Sequence, residues 1–393
     1  MKRLLGSLAL IFFGVVLALL VADVGIRIAN HWFPYFYCYD EHRGWGLNPG
    51  AHGWYRREGV AYVRINRDGF RGPDYPKAKP PGTIRIAVIG DSYVEAIQVP
   101  EDKTFTAVAG RDLSDCPDLK GKRIEAMNFG VDGYGSAQEL ETLNRKVWAY
   151  EPDIVVMAIF LGNDIRNNSV ALEGDQCRPF YVYRGGGLAL AGPFMDSPAY
   201  RMWCAARFDY RDLRLLGIFQ NAWEVITKGP GQPTPEHPVE RAINYSIYKP
   251  PADAAWKNAW SVTEGLITAV RDDVERHHAM FLAVTEDTGI QVWPDSRVRK
   301  AFEEKRGVPD LFYPDRRIAA LGKREKFAVL TMAQPLQAYA ERHHVFLHGF
   351  SNTPMGFGHW NEAGHALAGK LIADKLCAMI DGGLCPACSS APK

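Results

Sequence analysis

Thr83-Ile84-Arg85-Ile86-Ala87-Val88-Ile89-Gly90-Asp91-Ser92 decides how this chain is read. Five of its first seven residues are β-branched, and the run stops at a glycine followed by two residues that cap helices well. That combination predicts a buried strand turning sharply into a helix.

The same alternation continues downstream. Residues 104–113 predict a helix, 124–129 a second strand, and 154–161 a third strand that is apolar throughout. Between the last two, 136–150 predict a helix opened by Ser136-x-x-Glu139 as a capping box. Helical 262–276 runs through His277-His278 into a strand at 279–284, and helical 336–342 runs through His343-His344 into one at 345–350. A helix over about 361–380 closes the pattern. Continuous apolar strands separated by helices predict an α/β fold, a three-layer doubly wound sandwich around a five-stranded parallel sheet. Ligands of such sheets bind beyond the carboxyl ends of the strands. Residues 166–251 interrupt the alternation with Gly185-Gly186-Gly187 and a Gly/Pro-rich stretch at 228–238, and read as an insertion.

Upstream lies a different kind of segment. After Lys2 and Arg3, residues 4–22 contain no charged side chain. Nineteen helical residues span roughly 29 Å, the thickness of a bilayer's hydrocarbon core. The segment predicts one transmembrane helix, with Lys2 and Arg3 keeping the N-terminus cytoplasmic. A cleaved signal peptide fits less well, because its apolar region is shorter and no A-x-A site follows. The division is then a membrane anchor (1–33), an aromatic-rich juxtamembrane segment and linker (34–82), the α/β domain (83–384) and a tail (385–393). This places the protein in a cell inner membrane, single-pass, with its domain on the periplasmic side.

Composition removes other classes. Forty-six basic residues against forty-five acidic ones leave a net charge of +1, without the basic footprint of a nucleic-acid binder. Seven cysteines would face a compartment where disulfides form, and the odd count leaves at least one without an intrachain partner. Cys385-x-x-Cys388 is a single pair, read as a local disulfide or two idle thiols and not as a zinc site. The two His-His pairs sit where helices should end, which suits the dipole and needs no metal. No cofactor is expected.

The chemistry is sought just after each strand. There stand Gly90-Asp91-Ser92, then Gly133 within Asn128-Phe129-Gly130-Val131-Asp132-Gly133, then Gly162-Asn163-Asp164, and near the C-terminus Gly358-His359-Trp360-Asn361-Glu362-Ala363-Gly364-His365. Each alone is a turn or a cap; Gly-Asp-Ser arises by chance in about one chain in ten of this length. Together they supply what acyl transfer requires: a nucleophile in Ser92, a base in His359, and oxyanion donors in the Ser92 and Gly133 N–H groups and the Asn163 amide.

In these four blocks and their order the chain resembles the SGNH (GDSL-type) hydrolases. The match covers roughly residues 44–168 and 345–375. Asn66-x-Asp68-Gly69-Phe70-Arg71-Gly72 is also similar to the lead-in of many membrane-anchored bacterial members. The resemblance implies a flavodoxin-like fold and a serine-dependent ester hydrolase with no metal or organic cofactor. Its substrate would be an O-acylated envelope glycan or a lipid ester, with envelope-biosynthesis partners. An O-acyltransferase would use the same residues. One departure stands out. The family places an aspartate two or three residues before the histidine, where this chain has Phe357 and Gly356. Either His359 works with Ser92 alone, or an acid arrives from elsewhere, Asp287 being one candidate. A non-catalytic envelope glycan-binding or assembly protein that has lost its acid is the alternative from another class. The α/β-hydrolase pattern is excluded, because no G-x-S-x-G occurs.

Overall fold

The computed structural model describes residues 2–29, 35–211, 223 and 243–388. The N-terminal helix spans Lys2–Ala29, and Leu5–Ile26, with a mean hydropathy of 2.7, is long and apolar enough to cross a membrane. Two antiparallel hairpins follow, β1 (Tyr37–Asp40) with β2 (Gly44–Leu47), and β3 (His52–Tyr55) with β4 (Ala61–Arg64). The aromatic-rich segment after the N-terminal helix is therefore folded into two hairpins. Phe36, Trp45, Leu47, Val63 and Ile65 pack with Ile97, Val131 and Tyr134 into a small core of their own.

The central sheet takes β5 (Thr83–Ile89), β6 (Arg123–Asn128) and β7 (Ile154–Phe160) from the chain before the insertion. The insertion holds a third hairpin, β8 (Phe180–Arg184) with β9 (Gly187–Ala191), and a helix, Pro198–Arg211. Its Gly/Pro-rich stretch at 228–238 lies outside the described residues. β10 (Met280–Glu286) and β11 (Ala328–Thr331) complete the sheet. The spatial order is β11-β10-β7-β5-β6, and every neighbouring pair is parallel. In order of appearance this is 2-1-3-4-5, a doubly wound sheet whose switch point lies between β5 and β7.

β7 shows why these residues make a central strand. Val155, Met157 and Ile159 face the core covered by helices Ser136–Arg145 and Ala254–Arg276, while Ile154, Val156 and Ala158 face the core covered by Phe105–Leu113 and Glu362–Asp381. Both faces are dry, so neither parity of the strand can be polar.

The five parallel strands are as expected, but the last one is not where the sequence places it. Residues 345–350 contribute only a single bridge, His348 to Trp360. His344 and Gly349 both adopt positive φ (53° and 84°), which breaks an extended run. The true edge strand is the four-residue Ala328–Thr331, half buried because it pairs on one side only. So short a run after a charged helix carries little periodic signal.

The helix at 136–145 also starts one residue earlier than the capping box implies. Gly135 is its N-cap, with its N–H donated to Gln138 Oε1 at 3.3 Å, while Glu139 is buried instead of capping. Both His-His pairs do end helices, and His277 stacks on Trp148 at 3.8 Å between centroids. Disulfides join Cys116 to Cys377, Cys177 to Cys204 and Cys385 to Cys388, leaving Cys38 as the free thiol. The first ties the end of helix Phe105–Leu113 to the C-terminal helix across 261 residues of chain, where loop closure in the unfolded state is most costly.

Candidate active site

β5 ends at Ile89, and the chain turns at Gly90, where a Cβ would run into Val94 and the Ala158 carbonyl. Asp91 caps the short helix Ser92–Glu95 by accepting the Tyr93 N–H at 2.9 Å. Ser92 is the first residue of that helix and is 7% exposed.

His359 reaches it from a loop near the C-terminus. Its Nε2 lies 2.8 Å from Ser92 Oγ, while its Nδ1 lies 2.6 Å from Glu58 Oε2 and its backbone N–H donates to Glu58 Oε1 at 2.7 Å. A carboxylate accepts only, so Nδ1 carries the proton, and in the neutral ring Nε2 is left as an acceptor facing the serine hydroxyl. Burial alone would push the His359 pKa down. The Glu58 carboxylate outweighs it, with help from Asp132 and Asp91, and holds it up at about 9. Burial would raise Glu58, and the charge and hydrogen bonds of His359 hold it below the usual carboxylate range.

Glu58 lies at the tip of the β3–β4 hairpin, 301 residues from its partner. Asn352 clamps that tip. Its Oδ1 accepts the Gly59 N–H at 2.9 Å, and its Nδ2 donates to the carbonyls of Arg56 and Gly59 at 3.0 and 3.1 Å. On the other side, Gly358 gives the carboxylate room: it has a φ of 74°, and a Cβ there would fall on Glu58 Oε1. The acid absent from positions 356 and 357 thus arrives from the N-terminal hairpin.

Asp287 is not that acid. Its Oδ2 lies 2.9 Å from His348 Nε2, with both side chains fully buried, and its Oδ1 accepts the Trp360 indole N–H at 3.1 Å. His348 Nδ1 in turn lies 2.7 Å from the Gly358 carbonyl, which also accepts the Tyr93 hydroxyl at 3.1 Å. These buried polar contacts hold both flanks of His359 from beneath.

Gly133 lies in the loop after β6 with a φ of 73°. The Trp45 indole donates to the Asp132 carbonyl at 2.9 Å. In a planar trans peptide the next N–H points the opposite way, so Trp45 aims the Gly133 N–H away from itself. The Asp132 N–H is taken by the Glu95 carboxylate, which also accepts the Tyr37 hydroxyl at 2.9 Å. Ser92, His359 and Asp132 line one cavity of about 250 Å³, together with Tyr37, Tyr55, Arg56 and Arg57. Of the four expected site residues, Ser92 and His359 line that cavity and Gly133 and Asn163 do not. Asn163 follows β7 and N-caps Asp164–Asn167, with its Oδ1 buried without a partner.

Four carboxyls lie at the carboxyl edge of the sheet behind the serine. Asp91, Glu139, Asp164 and Glu286 are all fully buried, and each has at least one oxygen without a hydrogen-bond partner. Burial raises the Asp91 pKa to about 7, and burial followed by mutual repulsion raises the other three well above the carboxylate range. The group of possible metal ligands found among the described residues is elsewhere, Cys116, Cys377 and Asp381, and its two sulfurs are joined in a disulfide.

No family model and no curated protein sequence matches the chain. Solved structures do resemble it. An acetyl xylan esterase, AlAXEase, aligns over 75% of this chain and all of its own, with 11% identity and a TM-score of 0.41. A lipase/acylhydrolase from Enterococcus faecalis covers 75% of this chain and 96% of its own, with 12% identity and a TM-score of 0.37. A catalytic mutant of Axe2, an acetylxylan esterase from Geobacillus stearothermophilus, covers 78% and 97%, with 11% identity and a TM-score of 0.37. These are distant likenesses.

Proposed function

We propose that this protein is a serine-dependent acyl-ester hydrolase of the SGNH kind, with Ser92, His359 and Glu58 as its proton relay. The observation that carries this reading is the unbroken chain of contacts from Ser92 Oγ through both ring nitrogens of His359 to the Glu58 carboxylate. Ser92 Oγ attacks the ester carbonyl carbon as its proton passes to His359 Nε2. The resulting imidazolium is stabilised by Glu58, and the tetrahedral oxyanion by the Ser92 and Gly133 N–H groups with the Asn163 amide. Collapse breaks the bond to the alcohol, which leaves with the proton from His359. Water then gives a proton to His359 and attacks the acyl-serine, and collapse releases the carboxylic acid as His359 returns that proton to Ser92 Oγ. No metal or organic cofactor takes part.

Glu58 removes the reason for the non-catalytic alternative, which was the want of an acid. Leu5–Ile26 serves as a single membrane anchor, and three disulfides support a domain on the oxidising, periplasmic side of an inner membrane. An O-acylated envelope glycan is the favoured substrate class, because the cavity is smaller than the 300–1,000 Å³ usual for drug-sized ligands and suits a short acyl group. The test is hydrolysis of p-nitrophenyl acetate by the detergent-solubilised full chain. Turnover that Ser92→Ala and His359→Ala both abolish supports the reading; turnover that survives Ser92→Ala contradicts it.

A further inference from the structure

Asn66-x-Asp68-Gly69-Phe70-Arg71-Gly72 takes no part in the proton relay, yet its arginine reaches the turn that carries Ser92. The loop is closely tied. Asn66 Oδ1 accepts the N–H groups of Asp68 and Phe70 at 3.0 and 2.9 Å, and Asn66 Nδ2 donates to the Pro73 carbonyl at 3.1 Å. Arg71 bridges back to Ile65, and the Gly72 N–H donates to the carbonyl of Arg64, the last residue of β4, at 3.2 Å. The loop therefore extends the same hairpin that presents Glu58.

Arg71 is 3% exposed. Its Nη1 donates to the carbonyls of Glu95, at 3.0 Å, and Ala96, and its Nη2 donates to the carbonyl of Val99. Burial lowers its pKa to about 10, which leaves it charged at neutral pH. The three carbonyls bracket a strained point. Ala96 is fully buried with a φ of 54° and a ψ of 36°, a left-handed conformation that crowds any residue bearing a Cβ. Such a conformation persists only where its surroundings hold it, and it gathers at functional sites. Ala96 is also the direct neighbour of the nucleophile: its N–H donates to the Ser92 carbonyl at 2.8 Å. Helix Ser92–Glu95 is a single turn, so its end has no further turn to steady it, and the carbonyls there need a donor from outside.

We propose that Arg71 is a positioning residue for the nucleophile: its guanidinium locks the left-handed turn at Ala96 and so fixes Ser92 Oγ against His359 Nε2. The inference rests on the ester-hydrolase reading and adds to it a second tie from the N-terminal hairpin, separate from Glu58. A reacting group misplaced by about 1 Å can lose about 10²-fold in rate, so the loss falls on kcat. A cavity of about 330 Å³, lined by Arg71 with Gly72, Glu101 and Thr104, gives a small cation a way to the guanidinium's place.

The test is the rate of fluorophosphonate labelling and the hydrolysis of p-nitrophenyl acetate by the full chain in detergent, in wild type, Arg71→Ala and Arg71→Lys. Arg71→Ala should label about 30- to 100-fold more slowly, yet reach the same final extent, with kcat lowered by a similar factor and KM within about threefold. Its pH midpoint should stay near 9, because the Glu58–His359 contact is untouched. Millimolar methylguanidinium should restore its rate at least about fivefold and leave wild type unchanged. Arg71→Lys, whose ammonium lacks the fork that spans three carbonyls, should label about tenfold more slowly than wild type, and it carries the test if Arg71→Ala does not fold. A wild-type labelling rate in the folded variants overturns the proposal while the esterase reading stands. So does a smaller extent of label at an unchanged rate, which is loss of folded protein, or a pH midpoint that drops as Glu58 is lost from His359. Failure of wild type to label removes the catalytic reading and this one together.

Discussion

Glu58 and His359 lie 301 residues apart in the chain and 2.6 Å apart in the fold, with the carboxylate against Nδ1. That contact sets the tautomer of the histidine and turns its Nε2 toward Ser92. It also ties the N-terminal hairpin to the proposed proton relay.

Replacing Glu58 should therefore impair catalysis more than binding. Glu58→Gln keeps the size of the side chain but no longer stabilises the imidazolium. In the serine-protease triad an acid-to-amide change of this kind costs about 10⁴ in turnover. A loss of 10² to 10⁴ in kcat with KM changed by less than about threefold is expected, read with p-nitrophenyl acetate. A kcat within threefold of wild type would show that Ser92 and His359 work without the acid.

The pH profile follows from the same contact. Glu58 raises His359 to about 9, and only the neutral ring can accept the serine proton. Activity should accordingly be low in mild acid and rise with pH through an apparent pKa near 9. In Glu58→Gln the raising charge is gone, so the residual activity should rise through a lower pKa, nearer the ordinary histidine value of about 6.5. The measurement is kcat/KM of both forms from pH 5.5 to 10.

Gly358 is predicted to be intolerant for a reason of space. A methyl group there occupies the position of Glu58 Oε1, and the φ of 74° strains any side chain. Gly358→Ala should lower kcat at least tenfold by driving Glu58 off His359. The distinguishing sign is a pH profile shifted downward as in Glu58→Gln, which a general loss of folded protein would not produce.

In the sequence, the sheet and the order of the site motifs were visible because they depend on neighbours in the chain. β5 and β7 are apolar on both parities, and Gly90, Gly133 and His359 fall in the turns beyond strands or before a helix. The edge strand at Ala328–Thr331 was missed because four half-buried residues give no clear period, while the alternation at 345–350 proved to serve a loop around the buried His348. Glu58 was missed for another reason. Arg56-Arg57-Glu58-Gly59 between Trp54-Tyr55 and Ala61-Tyr62-Val63 carries the signal of a hairpin tip, but nothing local says which distant residue that tip meets. Trp45 and Asn352, which position the site, carry no local mark either.

Stability should fall as pH rises, against the usual behaviour of paired carboxylates. Asp91 is raised to about 7 and burial holds Glu139, Asp164 and Glu286 well above the carboxylate range, so the folded state binds protons that the unfolded chain releases near pH 4. The stability of these groups is fully present below about pH 4 and declines between there and pH 7 and above. The His359–Glu58 pair adds a decline in the same direction as pH passes about 9. Thermal unfolding is expected at least about 5 °C lower at pH 8 than at pH 5.5. Glu139→Gln, which is neutral at both values, should flatten that slope; an equally steep slope in the variant would contradict this assignment of protons.

If Glu58 activates Ser92 through His359, the rate at which Ser92 is labelled by a fluorophosphonate serine probe depends on both. The full chain should label at pH 8, Ser92→Ala and His359→Ala should not, and Glu58→Gln should label at least a hundredfold more slowly. Absence of label on folded wild type, or equal labelling of wild type and Glu58→Gln, would contradict it.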